Sequence, residues 1–73
     1  MGAKEMFEEL GFTYEVVGHM IYVEEPVKGC DMTYVVFDLN KKDLESTIVD
    51  MGKLTQFIDA ITKQLEELGW LDE

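Results

Sequence analysis

Seventy-three residues carry sixteen acidic side chains against six basic ones, a formal charge of −10 on a chain that is 47% apolar. Too much of it is apolar for a disordered acidic tail, and it is too short for a second domain, so residues 1–73 are expected to fold as a single domain. A folded chain of 8.4 kDa exposes about 4,600 Å² by the usual scaling, roughly one net negative charge per 460 Å², a surface that repels phosphate backbones and anionic lipids alike.

Residues 3–10 read as a short helix, with Met6, Phe7 and Leu10 on one face and Glu5, Glu8 and Glu9 on the other. Gly11 ends it, since glycine takes the left-handed conformation of a helix terminus and Phe12 can then fold back onto the last turn. Glu66-Glu67-Leu68-Gly69-Trp70 mirrors Glu8-Glu9-Leu10-Gly11-Phe12, and the echo reads as shared capping chemistry. Five residues are too few for a repeat, whose periods start near 20.

Strand material follows. Residues 13–17 and 20–23 are rich in β-branched and aromatic side chains, interrupted by Gly18-His19. A type II′ hairpin turn is the expectation there, although a bulge within one longer strand would give the same signal. Residues 24–31, with Pro26 and Gly29, form the clearest loop. Residues 32–39 are the best strand, residues 40–43 a polar turn, and residues 44–49 a further strand with Leu44, Ser46 and Ile48 on one side. Ile21, Val23, Val35, Phe37 and Leu39 are assigned to one face of the sheet, and Tyr14, Val16, Met20, Tyr22, Tyr34 and Val36 to the other.

Asp50 is a candidate N-cap for a last helix whose seam is Met51, Leu54, Ile58, Ile61, Leu65 and Leu68, with an effective start near Lys53. Asp59, Lys63 and Glu67 stand at successive i,i+4 steps on its opposite, solvated face. The order α-β-β-β-β-α predicts an α+β fold: a small antiparallel sheet of three to four strands, a short N-terminal helix and a longer C-terminal one.

Catalytic chemistry finds few handles. The single His19 and single Cys30 are eleven positions apart and form no metal-binding spacing, and His19 reads as a turn residue. Cys30 beside Lys28 is a loop thiol without a definite activator. Residues 38–43 begin like a calcium loop, but Lys41 and Lys42 stand where oxygen ligands belong. Glu24 and Glu25, adjacent in an extended segment, point to opposite sides, and a chain without arginine lacks the usual bidentate anion clamp. The expectation is a non-enzyme with no metal and no cofactor. One cysteine permits no intramolecular disulfide, there is no signal-peptide pattern, and no apolar run approaches the roughly twenty residues of a membrane span. These features point to a cytoplasmic protein that binds neither membrane nor nucleic acid directly.

Residues 3–12, Val36-Phe37-Asp38-Leu39 and residues 63–71 together resemble a group of small proteins encoded by phages and prophages of Firmicutes. The resemblance implies a phage setting and the cytoplasm of a bacterial host, and it carries over no functional residue because members of the group are mostly without an assigned role. Residues 41–49 depart from the pattern. In that setting the acidic balance suggests a protein that occupies a basic host protein, with a charge like that of DNA, as anti-restriction and anti-CRISPR inhibitors do. About 25 Å of duplex carries roughly 15 negative charges, so the match requires most carboxylates to share a face. Tyr14, Glu15, Tyr22, Glu24, Glu25, Asp31, Tyr34 and Asp38 are the candidate partner-binding residues, as tyrosines beside carboxylates suit a protein interface. The alternative is a homo-oligomeric structural or assembly module, whose thin core would gain from pairing as a homodimer.

Overall fold

The computed structural model describes residues 1–26, 32–49 and 51–71. Over them the chain runs α1 (Ala3–Glu9), β1 (Thr13–Val17), β2 (Met20–Glu24), β3 (Tyr34–Asp38), β4 (Asp43–Thr47), a short 3-10 turn (Met51–Lys53) and α2 (Leu54–Leu68). The strands form one antiparallel sheet in the order β1-β2-β3-β4, so the α+β architecture is the expected one.

Both helices end by the same device, as their shared Glu-Glu-Leu-Gly-aromatic segments predict. At α1, Gly11 takes φ 92° while its N–H donates to the Glu8 carbonyl and the Phe12 N–H to the Phe7 carbonyl. At α2, Gly69 takes φ 75° and the N–H groups of Gly69 and Trp70 reach Glu66 and Leu65. These paired bonds satisfy carbonyls the helix leaves open and turn the following aromatic inward. Phe12 lies 6.4 Å from the Phe7 ring and Trp70 lies 6.3 Å from Phe37.

Gly18 and His19 form a two-residue hairpin turn that pairs Val17 with Met20. Gly18 sits at φ 60° and His19 on the ordinary negative side, the type II′ pattern. The turn is the expected one, but the faces expected from an unbroken alternation through it are not those observed. It pairs even-numbered positions of β1 with odd-numbered positions of β2, so Tyr14 lies opposite Val23 and Val16 opposite Ile21. Tyr14 and Val16 therefore share the face of Ile21, Val23, Val35 and Phe37, the face on which the helices pack.

The core joins those four sheet residues to Ala3, Phe7 and Phe12 and to Phe57 and Ala60 of α2. Phe57 stands edge-on to Phe7 and Phe12 at 5.9 and 5.0 Å. The buried stripe of α2 is Phe57, Ala60 and Gln64, flanked by half-buried Leu54, Ile61, Leu65 and Leu68. It is rotated from the expected seam, leaving Met51 and Ile58 exposed. The reason is Phe57, which the Phe7 and Phe12 rings take into the core; Gln64 comes inward on the same stripe and is accommodated because Tyr14 Oη donates to its Oε1 at 2.5 Å.

Two long-range bonds fix the ends of the seven-residue α1. Glu67 accepts from the Ala3 N–H at 2.8 Å, filling an open donor of the first turn, where a carboxylate also meets the positive end of the helix. Glu67 is thus not the purely solvated partner of Lys63 that spacing suggests. Lys53 donates to the Leu10 carbonyl at 2.9 Å, lies 5.6 Å over the Phe12 ring and faces Glu25 at 3.9 Å. Among the described residues this is the one ion pair within 4.0 Å.

Candidate functional site

Cross-strand partners share a face of a sheet, so the register assigns every strand residue. The face turned away from the helices carries three rows of four: Thr13, Glu24, Tyr34 and Thr47; Glu15, Tyr22, Val36 and Glu45; Val17, Met20, Asp38 and Asp43. No lysine occupies any of these positions, and five of them are carboxylates. Tyr22, Val36, Met20 and Tyr34 are half-buried in the middle of the sheet, while Glu15, Asp43 and Glu45 on the outer strands are exposed.

Local chemistry holds this face in register. The Glu25 N–H donates to the Thr33 carbonyl at 3.0 Å, continuing the β2-β3 ladder beyond Glu24, and the Leu39 N–H donates to the His19 carbonyl at 2.8 Å. Thr33 is buried, and its Oγ1 accepts from the Val49 N–H at 3.0 Å, tying the chain after β4 to the chain before β3. At the β3-β4 turn, Asp38 Oδ1 accepts from the N–H groups of Asn40 and Lys41 at 3.0 and 3.1 Å. Lys42 closes the turn at φ 57°, its N–H on the Asp38 carbonyl. Asp38 and Asp43 are direct cross-strand partners, an arrangement of like charges that costs stability.

Of the candidate residues, Glu15, Tyr22, Glu24, Tyr34 and Asp38 lie together on the open face. Tyr14 lies on the other face, 6.2 Å from Phe7, with its hydroxyl on Gln64. Burial, and after it the carboxylate of Glu67, holds the Tyr14 phenol above its ordinary pKa. Glu25 turns toward the helices, where Oε1 accepts from the Thr33 N–H at 3.4 Å and Oε2 meets Lys53. Asp31, with Lys28, Cys30 and the Asp50 cap, falls outside the described residues. Glu45 and Asp43 were missed as candidates. Their place follows only from the four-residue turn that sets β4 against β3, and Val36 and Met20 complete the apolar middle.

The open face spans about 19 Å by 17 Å from strand spacing and rise, or about 65 Å² per carboxylate. The total accessible surface is 4,787 Å², about one net charge per 480 Å², so even after doubling the projected area for its relief the face is several times denser in charge than the whole. It does not hold most of the charge, however. Glu5, Glu8 and Glu9 are exposed on α1, and Asp59, Glu66 and Glu67 on α2, so the carboxylates divide between the two sides of the molecule.

Depressions bordered by described residues lie at the β1 edge and between the helices. Thr13, Tyr14, Glu15, Tyr22 and Glu24 border a polar cleft of about 320 Å³ at the β1 edge. Met1, Met6, Leu10 and Gln56 line a more apolar one of about 230 Å³ between the helices, with Glu9 and Asp59 at its side. Among the described residues no three His, Cys, Asp or Glu side chains converge in a way that could hold a metal ion, and no helix is long and apolar enough to cross a membrane. Comparison with protein-family models, with curated proteins and with solved structures gives no match for this chain.

Proposed function

We propose that this chain is a non-enzymatic protein-binding module whose open sheet face engages a basic surface of another protein. The observation that carries the reading is the lysine-free face itself, with half-buried Tyr22, Tyr34, Val36 and Met20 between Glu15, Glu24, Asp38, Asp43 and Glu45. Apolar and aromatic groups supply contact area, and carboxylates steer a cationic partner and reject an anionic one. Five of the sixteen carboxylates lie on this face, short of the majority that a DNA-like charge requires, so the face is read as an acidic protein-binding surface rather than as a copy of duplex charge. In a phage setting, the partner class is a host nucleic-acid-binding or defence protein that the module inhibits by occupying its basic site.

Capture from a bacterial lysate on the immobilised protein at two salt concentrations tests this reading. Basic proteins retained at low salt, released at high salt, and not retained by a Tyr22→Ser/Val36→Ser variant are the expected result. Equal retention by that variant would remove the sheet face from the account.

A homo-oligomeric assembly module is the second reading, favoured by one observation. Among the described residues β1 is an edge strand of the sheet, with Val16 and Val17 58% and 52% exposed, an edge to which another strand could add. A dimer by light scattering that withstands salt would support it. Pairing through the open face is disfavoured, as five carboxylates would meet five.

A further inference from the structure

The three rows of the open face are ordered. Tyr34 lies on β3 in the first row, Tyr22 and Val36 on β2 and β3 in the second, and Met20 and Val17 on β2 and β1 in the third. These residues form an apolar stripe that crosses the sheet diagonally. Glu24 and Glu15 fall on one flank of it, and Glu45, Asp38 and Asp43 on the other. Two strand steps across and four residues along give the stripe a length of about 17 Å. That is the length of roughly 11 helical residues, or three turns.

The geometry points to a basic amphipathic α-helix of a partner protein as the occupant of this stripe, its apolar side on Tyr22, Val36 and Met20 and its lysines or arginines reaching both carboxylate flanks. This inference rests on the proposed basic-partner function and adds the partner's shape. Charge on both sides of an apolar strip is the complement of a helix whose cationic residues border its apolar face. An extended strand presents one side-chain row with a period of two and matches a single flank. A second copy of this chain would bring carboxylates against carboxylates, and a duplex would meet them with phosphates.

The test uses two synthetic peptides of about 12 residues with one composition, leucine with lysine and arginine. In the first, the leucines stand at i, i+3, i+4, i+7 and i+8 and the cations on either side; in the second, the same residues are scattered around the helix. Titration of the full chain, followed by amide chemical shifts, is expected to show the first peptide binding about tenfold more tightly than the second. Its shifts are expected at Tyr22, Val36 and Met20, with helical structure induced in the peptide. Val36→Asp, and independently Tyr22→Lys, should weaken the first peptide by about tenfold while the circular dichroism of the chain stays unchanged.

Binding of both peptides within about twofold of each other would overturn the inference and leave the basic-partner reading standing. Shifts confined to α1 and α2 would overturn both. A concentration-dependent self-association whose shifts fall on Tyr22 and Val36 would assign the stripe to a second copy and overturn it as well.

Discussion

A single hydroxyl satisfies the polar side chain that α2 brings into the core. Tyr14 donates to Gln64, and without that bond a residue 3% exposed would hold an unmet polar group in the core. Tyr14→Phe is expected to cost about 1–3 kcal/mol in urea unfolding, and a double change with Gln64→Leu should recover most of it. The buried phenol also has a pH signature, set by its burial and then by the Glu67 carboxylate. Because folding raises the Tyr14 pKa, its contribution is fully present below the unfolded value near 10 and is lost as pH rises through the higher folded value. Stability should therefore fall in the alkaline range above about pH 10, and part of that fall should vanish in Tyr14→Phe. Lys42, at φ 57°, sits where a side chain is strained. Lys42→Gly is expected to raise stability by about 0.5–1 kcal/mol, measured by thermal unfolding. Neither feature is legible in the sequence. A buried glutamine looks like any polar helix residue until its donor is placed across the core, and the left-handed position of a four-residue turn is hidden when lysine fills it.

At the scale of elements, the glycines that end the helices were legible because Leu-Gly-aromatic is a chemical requirement of the turn itself. Gly11→Ala should cost about 1–2 kcal/mol, read from denaturant unfolding. An added Cβ would lie 3.9 Å from Lys53 Nζ, an ordinary contact, so the loss comes from the φ of 92° rather than from crowding. The strands were legible from their β-branched and aromatic residues, and the hairpin from Gly18. The face of β1 was not, because the even-odd alternation of a single strand does not continue through a two-residue turn: Val17 pairs with Met20, so even positions of β1 meet odd positions of β2. Carrying that alternation across Gly18-His19 puts Tyr14 among the open-face tyrosines. The face of α2 was misread in a similar way, because Ile58 is apolar yet lies about 100° from the Phe57 line that the aromatic core selects. α1 is too short to be helical alone. It stands because Glu67 holds the Ala3 N–H at its start and Lys53 the Leu10 carbonyl at its end, neither of which its own residues announce.

For the whole molecule, eleven of the sixteen carboxylates divide between the sheet face, which carries five, and the two helices, which carry six. Like charges about 7 Å apart repel by roughly 0.6 kcal/mol in water, and salt screens them. The fold should accordingly gain stability between low and physiological ionic strength, seen as a rise in the thermal midpoint. The opposite trend would mean that the Lys53 pairing outweighs the repulsion. Composition made the net charge plain. Its arrangement required the register, because Glu45 and Asp43 join Glu15, Glu24 and Asp38 only once four strands are aligned.

The central claim is that the sheet face, and not net charge, selects the partner. It is tested most directly by two variants of equal charge, Glu15→Gln/Glu24→Gln/Glu45→Gln on the sheet and Glu5→Gln/Glu8→Gln/Glu9→Gln on α1. Each removes three carboxylates from the same starting charge. Binding of the captured basic partner should fall by about tenfold or more in the sheet variant and by less than about twofold in the helix variant. Equal losses in the two would contradict the account, since the carboxylates would then act only through their sum.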